Sequence, residues 1–349
     1  MIKTTSGLFL AAAFALSGLA ACSSDDSIVA PPDDTTTLDT QAKVDAFGAE
    51  GHTDYADRLV IGVENQSNSS ITNLDALSSL TSVKGLAIFY NDALVDMSGL
   101  ANLTSIGVDG MVIEENPKLT NLSGLIGLRS IGGLAFINMN GFMESLDGLN
   151  NLATVSGDLI IEENPRLLST GGLSSLRSVG GDAYIGMNGI IATLDGLNNL
   201  TTVGGHLSIS ENPSLTSISG LIGLQSVGGD TFIGMNGIIE SLSGLGTLVS
   251  IGGSLGISEN PRLGSVNGLF GLESVGGTLL INLNSLVADL SGLSNLSSVG
   301  GGLFFLDNPK LANYCGLQHL LSVGFNGTYA AVGNALNPTL AEISSAFCD

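Results

Sequence analysis

The chain has 349 residues, 44% of them apolar, with 49 glycines, three cysteines, no tryptophan and a formal net charge of −22. That charge excludes nucleic acid as a partner, because its binders need a basic face, and it argues against a domain lying flat on anionic lipid. It suits a soluble domain whose partners are neutral or cationic.

Residues 1–21 read as an export signal: Lys3 is the positive start, Gly7 to Leu19 the apolar run, and small residues precede Cys22. Leu19-Ala20-Ala21-Cys22 resembles the bacterial lipobox. The resemblance implies cleavage before Cys22 and lipidation of that cysteine, and hence a membrane partner through the anchor. A plain secretory signal cut nearby is the alternative. Residues 22–37 are polar, acidic and proline-containing, as expected of a flexible tether. Ser23 resembles the sorting residue of outer-membrane lipoproteins, and Asp25 and Asp26 resemble the surface-export tethers of some Bacteroidetes lipoproteins. The expected location is therefore the bacterial outer membrane, lipid-anchored; the tether resemblance implies an outward-facing domain, and a periplasm-facing one is the alternative.

Residues 38–58 are expected to form an N-terminal cap. Its short helix would run from Leu38 to Phe47, be capped by Asp39 or Thr40, and place Leu38, Ala42 and Phe47 roughly on one face. From 59 to 323 the chain repeats. The Val or Ile before a Gly-Gly or Ser-Gly pair recurs at Ile131, Val155, Val179, Val203, Val227, Ile251, Val275 and Val299, always 24 residues apart. Such a period marks a solenoid, whose units bury their apolar sides only by stacking. In one copy, Leu207 and Ile209 share a side of a short strand, and Leu215, Ile218, Leu221 and Leu224 follow at steps of three. The Gly pairs are expected to supply positive φ at the bend into each strand.

Asparagine recurs at the end of each strand, at Asn91, Asn116, Asn140, Asn164, Asn188, Asn212, Asn236, Asn260, Asn284 and Asn308. An amide there can satisfy inward-turning backbone groups, so this column is expected to be a structural ladder. The residue before it alternates between acid and apolar: Glu115, Met139, Glu163, Met187, Glu211, Met235, Glu259, Leu283, Asp307. Rungs ~4.8 Å apart put successive acids ~9.6 Å apart. That is too far to share a calcium ion at about 2.3–2.6 Å, so the alternation is attributed to charge spacing or a duplicated two-turn unit. No metal or cofactor is expected.

Residues 324–349 break the pattern and are expected to cap the C-terminal end. With Cys22 lipidated, Cys315 and Cys348 remain, and in an exported chain they are expected to pair. Two free buried thiols are the alternative.

The pattern from Leu248 to Leu269, L-x-S-[VI]-G-G-x-L-x-I-x-x-N-P-x-L-x-S-[LV]-x-G-L, resembles the receptor L domain, a leucine-rich, β-helix-like module also seen in bacterial surface lipoproteins. The resemblance spans roughly 59–323. It implies a right-handed β-helix with one long parallel sheet, short helical or irregular connections and about eleven turns of 24 residues, and it implies recognition or adhesion rather than chemistry.

Four residues before each asparagine the strands should face outward: Ala87, Val112, Phe136, Ile160, Tyr184, Ser208, Phe232, Gly256, Leu280, Phe304. Solvated strand faces are usually polar, and this stripe is not. It is expected to bind a protein or glycan ligand, with Phe136, Ile160, Tyr184, Phe232 and Phe304 as contacts. Same-face stacking that stiffens the sheet is the alternative. His52, His206 and His319 form no cluster, and no nucleophile or metal motif is present, so no catalytic residue is expected. Glu114-Glu115 and Glu162-Glu163 are read as solvated edge acids rather than a glycosidase pair, since neighbours along a strand point to opposite sides. Three readings stand: a non-enzymatic recognition lipoprotein, which the pattern favours; an envelope or biofilm spacer; and a carbohydrate-active enzyme.

Overall fold

The structure, a computed structural model, describes residues 34–66 and 70–345. The expected signal, Cys22, most of the expected tether and Cys348 lie outside the described residues. The described chain falls into two compact units, 34–204 and 205–345. Each is a leucine-rich repeat solenoid of parallel strands.

In the first unit β1 (Thr35–Leu38) precedes helix α1 (Gln41–Ala49), followed by β2 (Asp54–Ile61), β3 (Ser82–Phe89) and β4 (Ser105–Glu114). Thereafter each coil gives a two-residue and a four-residue strand: β5 (Ser130–Ile131), β6 (Ala135–Asn138), β7 (Thr154–Val155), β8 (Leu159–Glu162), β9 (Ser178–Val179) and β10 (Ala183–Gly186), with β11 (Thr202–Val203) last. A long parallel ladder runs β1, β2, β3, β4, β6, β8, β10. A second, short ladder that the periodicity did not disclose runs β4, β5, β7, β9, β11. Its strands are the Ser/Thr-Val/Ile dipeptides just ahead of the glycine pairs.

The second unit repeats this plan. It holds β12 (Leu207–Ser210), β13 (Ser226–Val227), β14 (Thr231–Gly234), β15 (Ser250–Ile251), β16 (Leu255–Ser258), β17 (Ser274–Val275), β18 (Leu279–Asn282), β19 (Ser298–Val299), β20 (Leu303–Leu306), α2 (Gln318–Val323), β21 (Tyr329–Val332) and α3 (Leu340–Ser345). The long ladder is β12, β14, β16, β18, β20, β21 and the short one β13, β15, β17, β19.

Alternation along the long strands fills each coil. Leu207 and Ile209 are buried, as are Leu215, Ile218, Leu221, Leu224 and Val227 further round the same coil. Most coils turn through a three-residue 3₁₀ segment such as Ser123–Leu125 or Ser243–Leu245. The residue two positions earlier starts that turn by accepting a backbone N–H: Asn121 from Ser123, and Ser241 from Ser243. This is the local bond that makes Asn and Ser turn-formers.

The expected role of the glycine pairs is corrected by the backbone. The glycine pairs do not carry positive φ. That conformation falls instead on the residue before each ladder asparagine, from Tyr90 and Glu115 through Glu259 and Asp307, at φ between 49° and 58°. The glycine pairs are needed for close stacking: a Cβ on Gly180 would sit 2.1 Å from the Ser156 carbonyl oxygen, and one on Gly252 2.1 Å from that of Gly228.

The ends differ from the expected boundaries too. β1 begins inside the stretch read as tether, and Leu38 is a strand residue rather than a helix face. Helix α1 is capped by Thr40, whose side chain accepts the Lys43 N–H, and it buries Val44 and Phe47 while Ala42 is exposed. At the other end β21 adds a rung to the long ladder past 323. Cys315 opens the last 3₁₀ turn; its expected partner Cys348 is outside the described residues.

Candidate functional site

The inner edge of the strands is polar and closed. Every ladder asparagine from Asn91 to Asn308 is fully buried. In the first unit, Asn140 Nδ2 donates to the carbonyls of Asn138 in its own strand and Ile113 in the preceding rung, both at 2.8 Å. Its backbone N–H donates to Asn164 Oδ1 at 3.1 Å. Asn116 and Asn164 repeat that bonding within the first unit, and Asn260, Asn284 and Asn308 repeat it in the second. Asn212 and Asn236 keep the link to the next amide, and Asn188 Nδ2 donates to the Ile161 and Gly186 carbonyls.

The column also extends beyond Asn308. Asn308 N–H donates to Asn334 Oδ1, and Asn334 N–H donates to Asn337 Oδ1, each at 3.0 Å. Sequence reading missed Asn334 because its step is 26, not 24. The left-handed residue before each amide turns the chain so that the amide points back into the stack. Among the described residues no three His, Cys, Asp or Glu side chains gather in a way that could hold a metal ion.

The outer face of the long ladder is the candidate binding surface. In the first unit Val60, Ala87, Val112, Phe136, Ile160 and Tyr184 stand in one register column. Ala87 and Val112 are 0% and 3% exposed, Tyr184 is 7% exposed, and Phe136 and Ile160 are half-buried. Val60, Ala87, Phe89 and Val112 form an apolar cluster of their own, with Tyr90 and Phe136 packed on it. Tyr184 lies along its strand over Gly186, where a Cβ would meet its hydroxyl oxygen at 2.3 Å. In the second unit the column is Ser208, Phe232, Gly256, Leu280, Phe304 and Ala330. Phe232 and Phe304 are half-buried, and Leu280 is fully buried. The stripe is therefore less open than its sequence suggests, because its side chains lean on one another and on the small residues beside them.

Two residues further along the same face runs a second column: Phe89, Glu114, Asn138, Glu162 and Gly186. Glu114 and Glu162 were expected at a solvated edge, and this is corrected. Burial raises both carboxyls, Glu162 to about 7 with help from Glu163 and Glu114. For Glu114 burial outweighs the Asn138 hydrogen bond, which lowers it. Their partners in sequence, Glu115 and Glu163, are the left-handed turn residues and lie outside this column.

A third column, at the second residue after each ladder asparagine, escaped the sequence reading. Apart from Ser214 it alternates cation and apolar residue: Lys118, Phe142, Arg166 and Ile190 in the first unit, and Ser214, Ile238, Arg262, Leu286 and Lys310 in the second. Phe142 and Ile190 are 47% and 44% exposed, and the Arg166 guanidinium lies 4.0 Å from the centre of the Phe142 ring. The signal for it was the alternation of Asn-Pro-x and Asn-Gly-x turns.

No helix among the described residues is long and apolar enough to cross a membrane. No family model matches the chain, and no curated protein matches it. Among solved structures the chain is similar to an internalin from Listeria monocytogenes, at 19% identity and a TM-score of 0.41, covering 89% of this chain and 88% of that one.

Proposed function

We propose that the protein is a lipid-anchored recognition protein of a bacterial outer membrane, non-enzymatic, which binds a protein or glycan through the outer faces of its long ladders. The observation that carries this is the outer column of the first unit. Six in-register positions hold only apolar or aromatic residues on the side of the strands that does not line the core. Core packing alone does not require that composition, and half-buried Phe136 and Ile160 offer apolar surface next to the polar atoms of Glu114 and Asn138. Apolar bodies with a few fixed polar groups are what ligand surfaces use.

The anchor at Cys22 and the pairing of Cys315 with Cys348 belong to the same proposal. The first rests on Leu19-Ala20-Ala21-Cys22 and the second on the export context. Lipid labelling of the full chain against Cys22→Ser tests the first, and intact mass without reduction tests the second.

The burial of Ala87, Val112, Tyr184 and Leu280 favours a second reading, in which the stripe stacks on itself and the solenoid acts as a spacer. A screen of residues 34–349 against glycans and surface proteins separates the two. Saturable binding lost in Phe136→Ser and Phe232→Ser, with folding intact, supports recognition. No binding in the whole screen supports the spacer, and release of cleaved product would support an enzyme.

A further inference from the structure

On the outer face of the first unit three polar side chains are stacked on adjacent strands. Glu114 on β4 is in register with Asn138 on β6, and Asn138 with Glu162 on β8. Asn138 and Glu162 are 4% and 7% exposed. Asn138 Nδ2 donates to Glu114 Oε1 at 3.1 Å, while Asn138 Oδ1 is buried and has no donor.

An amide donates from one end and accepts at the other. β6 lies between β4 and β8, so with the nitrogen bonded to Glu114 the remaining neighbouring rung that can supply the oxygen's missing donor is that of Glu162. If both carboxyls are ionised, that oxygen meets only acceptors. Flipping the amide merely moves the conflict to Glu114. One proton resolves it in either orientation, because the protonated carboxyl donates to Oδ1 and the ionised one accepts from Nδ2. Leaving a buried acceptor without a donor is costly, so the stack is short of one hydrogen.

We propose that the Glu114–Asn138–Glu162 stack binds a single proton, carried by Glu162 and donated to Asn138 Oδ1, and that its release switches the charge of the recognition face beside Ile160 and Tyr184. The switch rests on the recognition reading of that face; the proton site does not.

The surroundings agree. Burial, and after it the charges of Glu163 and Glu114, together raise the Glu162 carboxyl to about 7. Glu115, Glu64 and Glu163 act on Glu114 in the same direction. From the next strand Tyr184 presents its hydroxyl end over Gly186, the register neighbour of Glu162. No cation is among the groups acting on either carboxyl.

A carboxyl whose folded pKa lies above its unfolded value of about 4.3 favours folding while it holds its proton. That stability is complete below the unfolded value and is lost as pH climbs to the folded value near 7. The test is infrared titration of the full chain, which follows the carbonyl band of a protonated carboxyl, alongside its thermal midpoint. We expect one carboxyl to titrate with a midpoint within about one unit of 7, and the thermal midpoint to fall across that range. Glu162→Gln supplies the donor without the charge, so it should fold, lack the band and lose the pH slope. A wild-type chain in which every carboxyl titrates in the usual range, or a Glu162→Gln chain that keeps the near-neutral band, overturns the proton site. If the site stands and the screen finds a ligand, equal affinity at pH 6 and pH 8 overturns the switch alone.

Discussion

The two units share an inner surface and part company on the outer one. At matching register positions the first unit places Asn138 against Glu162, and the second places Ser258 against Asn282. The Ser258 hydroxyl donates to Asn282 Oδ1, so the second unit supplies from a neutral side chain the hydrogen that the first lacks. Its column reads Ser210, Gly234, Ser258, Asn282, Leu306, without a carboxyl. The inner columns, by contrast, are nearly interchangeable: Leu159 and Ile161 in one, Leu255 and Ile257 in the other, all at most 1% exposed. The fold constrains what lines the coil, while the outer face is free to differ, and there the two units have acquired different chemistry.

If the inner side is shared, the largest perturbations should be equal in both units. Asn140→Ala and Asn260→Ala each strip two carbonyls of a buried donor and take the acceptor from the backbone N–H of the preceding ladder asparagine, Asn116 or Asn236. At about 1–3 kcal/mol per orphaned buried group, each should cost about 3 kcal/mol or more in urea unfolding. A loss confined to one unit would break the equivalence. Gly180→Ala and Gly252→Ala come next, because each Cβ would strike a backbone oxygen of the coil below at 2.1 Å. A backbone atom cannot swing aside as a side chain can, so about 1–3 kcal/mol is expected for each by the same measurement.

Much of this inner side was legible in the sequence. A 24-residue period with leucines three apart fixes what faces inward, and a recurrent Asn at a strand end has few roles other than bonding to backbone. What the period could not convey is coverage. Phe136 and Tyr184 occupy equivalent positions, yet one is half-buried and the other 7% exposed, with Tyr184 lying over Gly186, a local packing choice. Nor could it locate the left-handed residue, since Glu, Met and Tyr have no preference for that conformation and the neighbouring glycines attract the assignment. Glu162 was misjudged for a related reason. Alternation told which side of the strand it is on, but not that this side is already filled by Ile160 and Tyr184.

A smaller test sharpens the comparison within the second unit. Thr231 takes an inner position that holds Leu255 one rung on and Leu207 one rung back, and its fully buried hydroxyl has no partner. Replacing it with valine removes an unsatisfied group at nearly constant shape. We expect Thr231→Val to stabilise the protein by about 1 kcal/mol in thermal or urea unfolding, the opposite sign from every substitution above.

The smallest effect lies at the turn edge, where the units again look alike until their neighbours are counted. Arg166 and Arg262 hold the same place in the coil, both exposed and both two residues after a ladder asparagine. Arg166 has Phe142 one coil before it and lies 4.0 Å from the ring centre; at the same position the coil before Arg262 holds Ile238, and the coil after it Leu286. A guanidinium over an exposed ring contributes about 0.5–1 kcal/mol, whereas one beside an aliphatic chain gains only packing of its methylenes. Arg166→Gln should therefore cost about 0.5 kcal/mol, and Arg262→Gln should fall within error, both read by urea midpoint at low and high salt. Equal costs would mean that the charge acts through the acidic surface as a whole, since attraction spread over many exposed carboxylates is screened by salt while contact with a ring is not. The salt series then decides whether this edge is a set of local contacts, different in each unit, or a single electrostatic feature common to both.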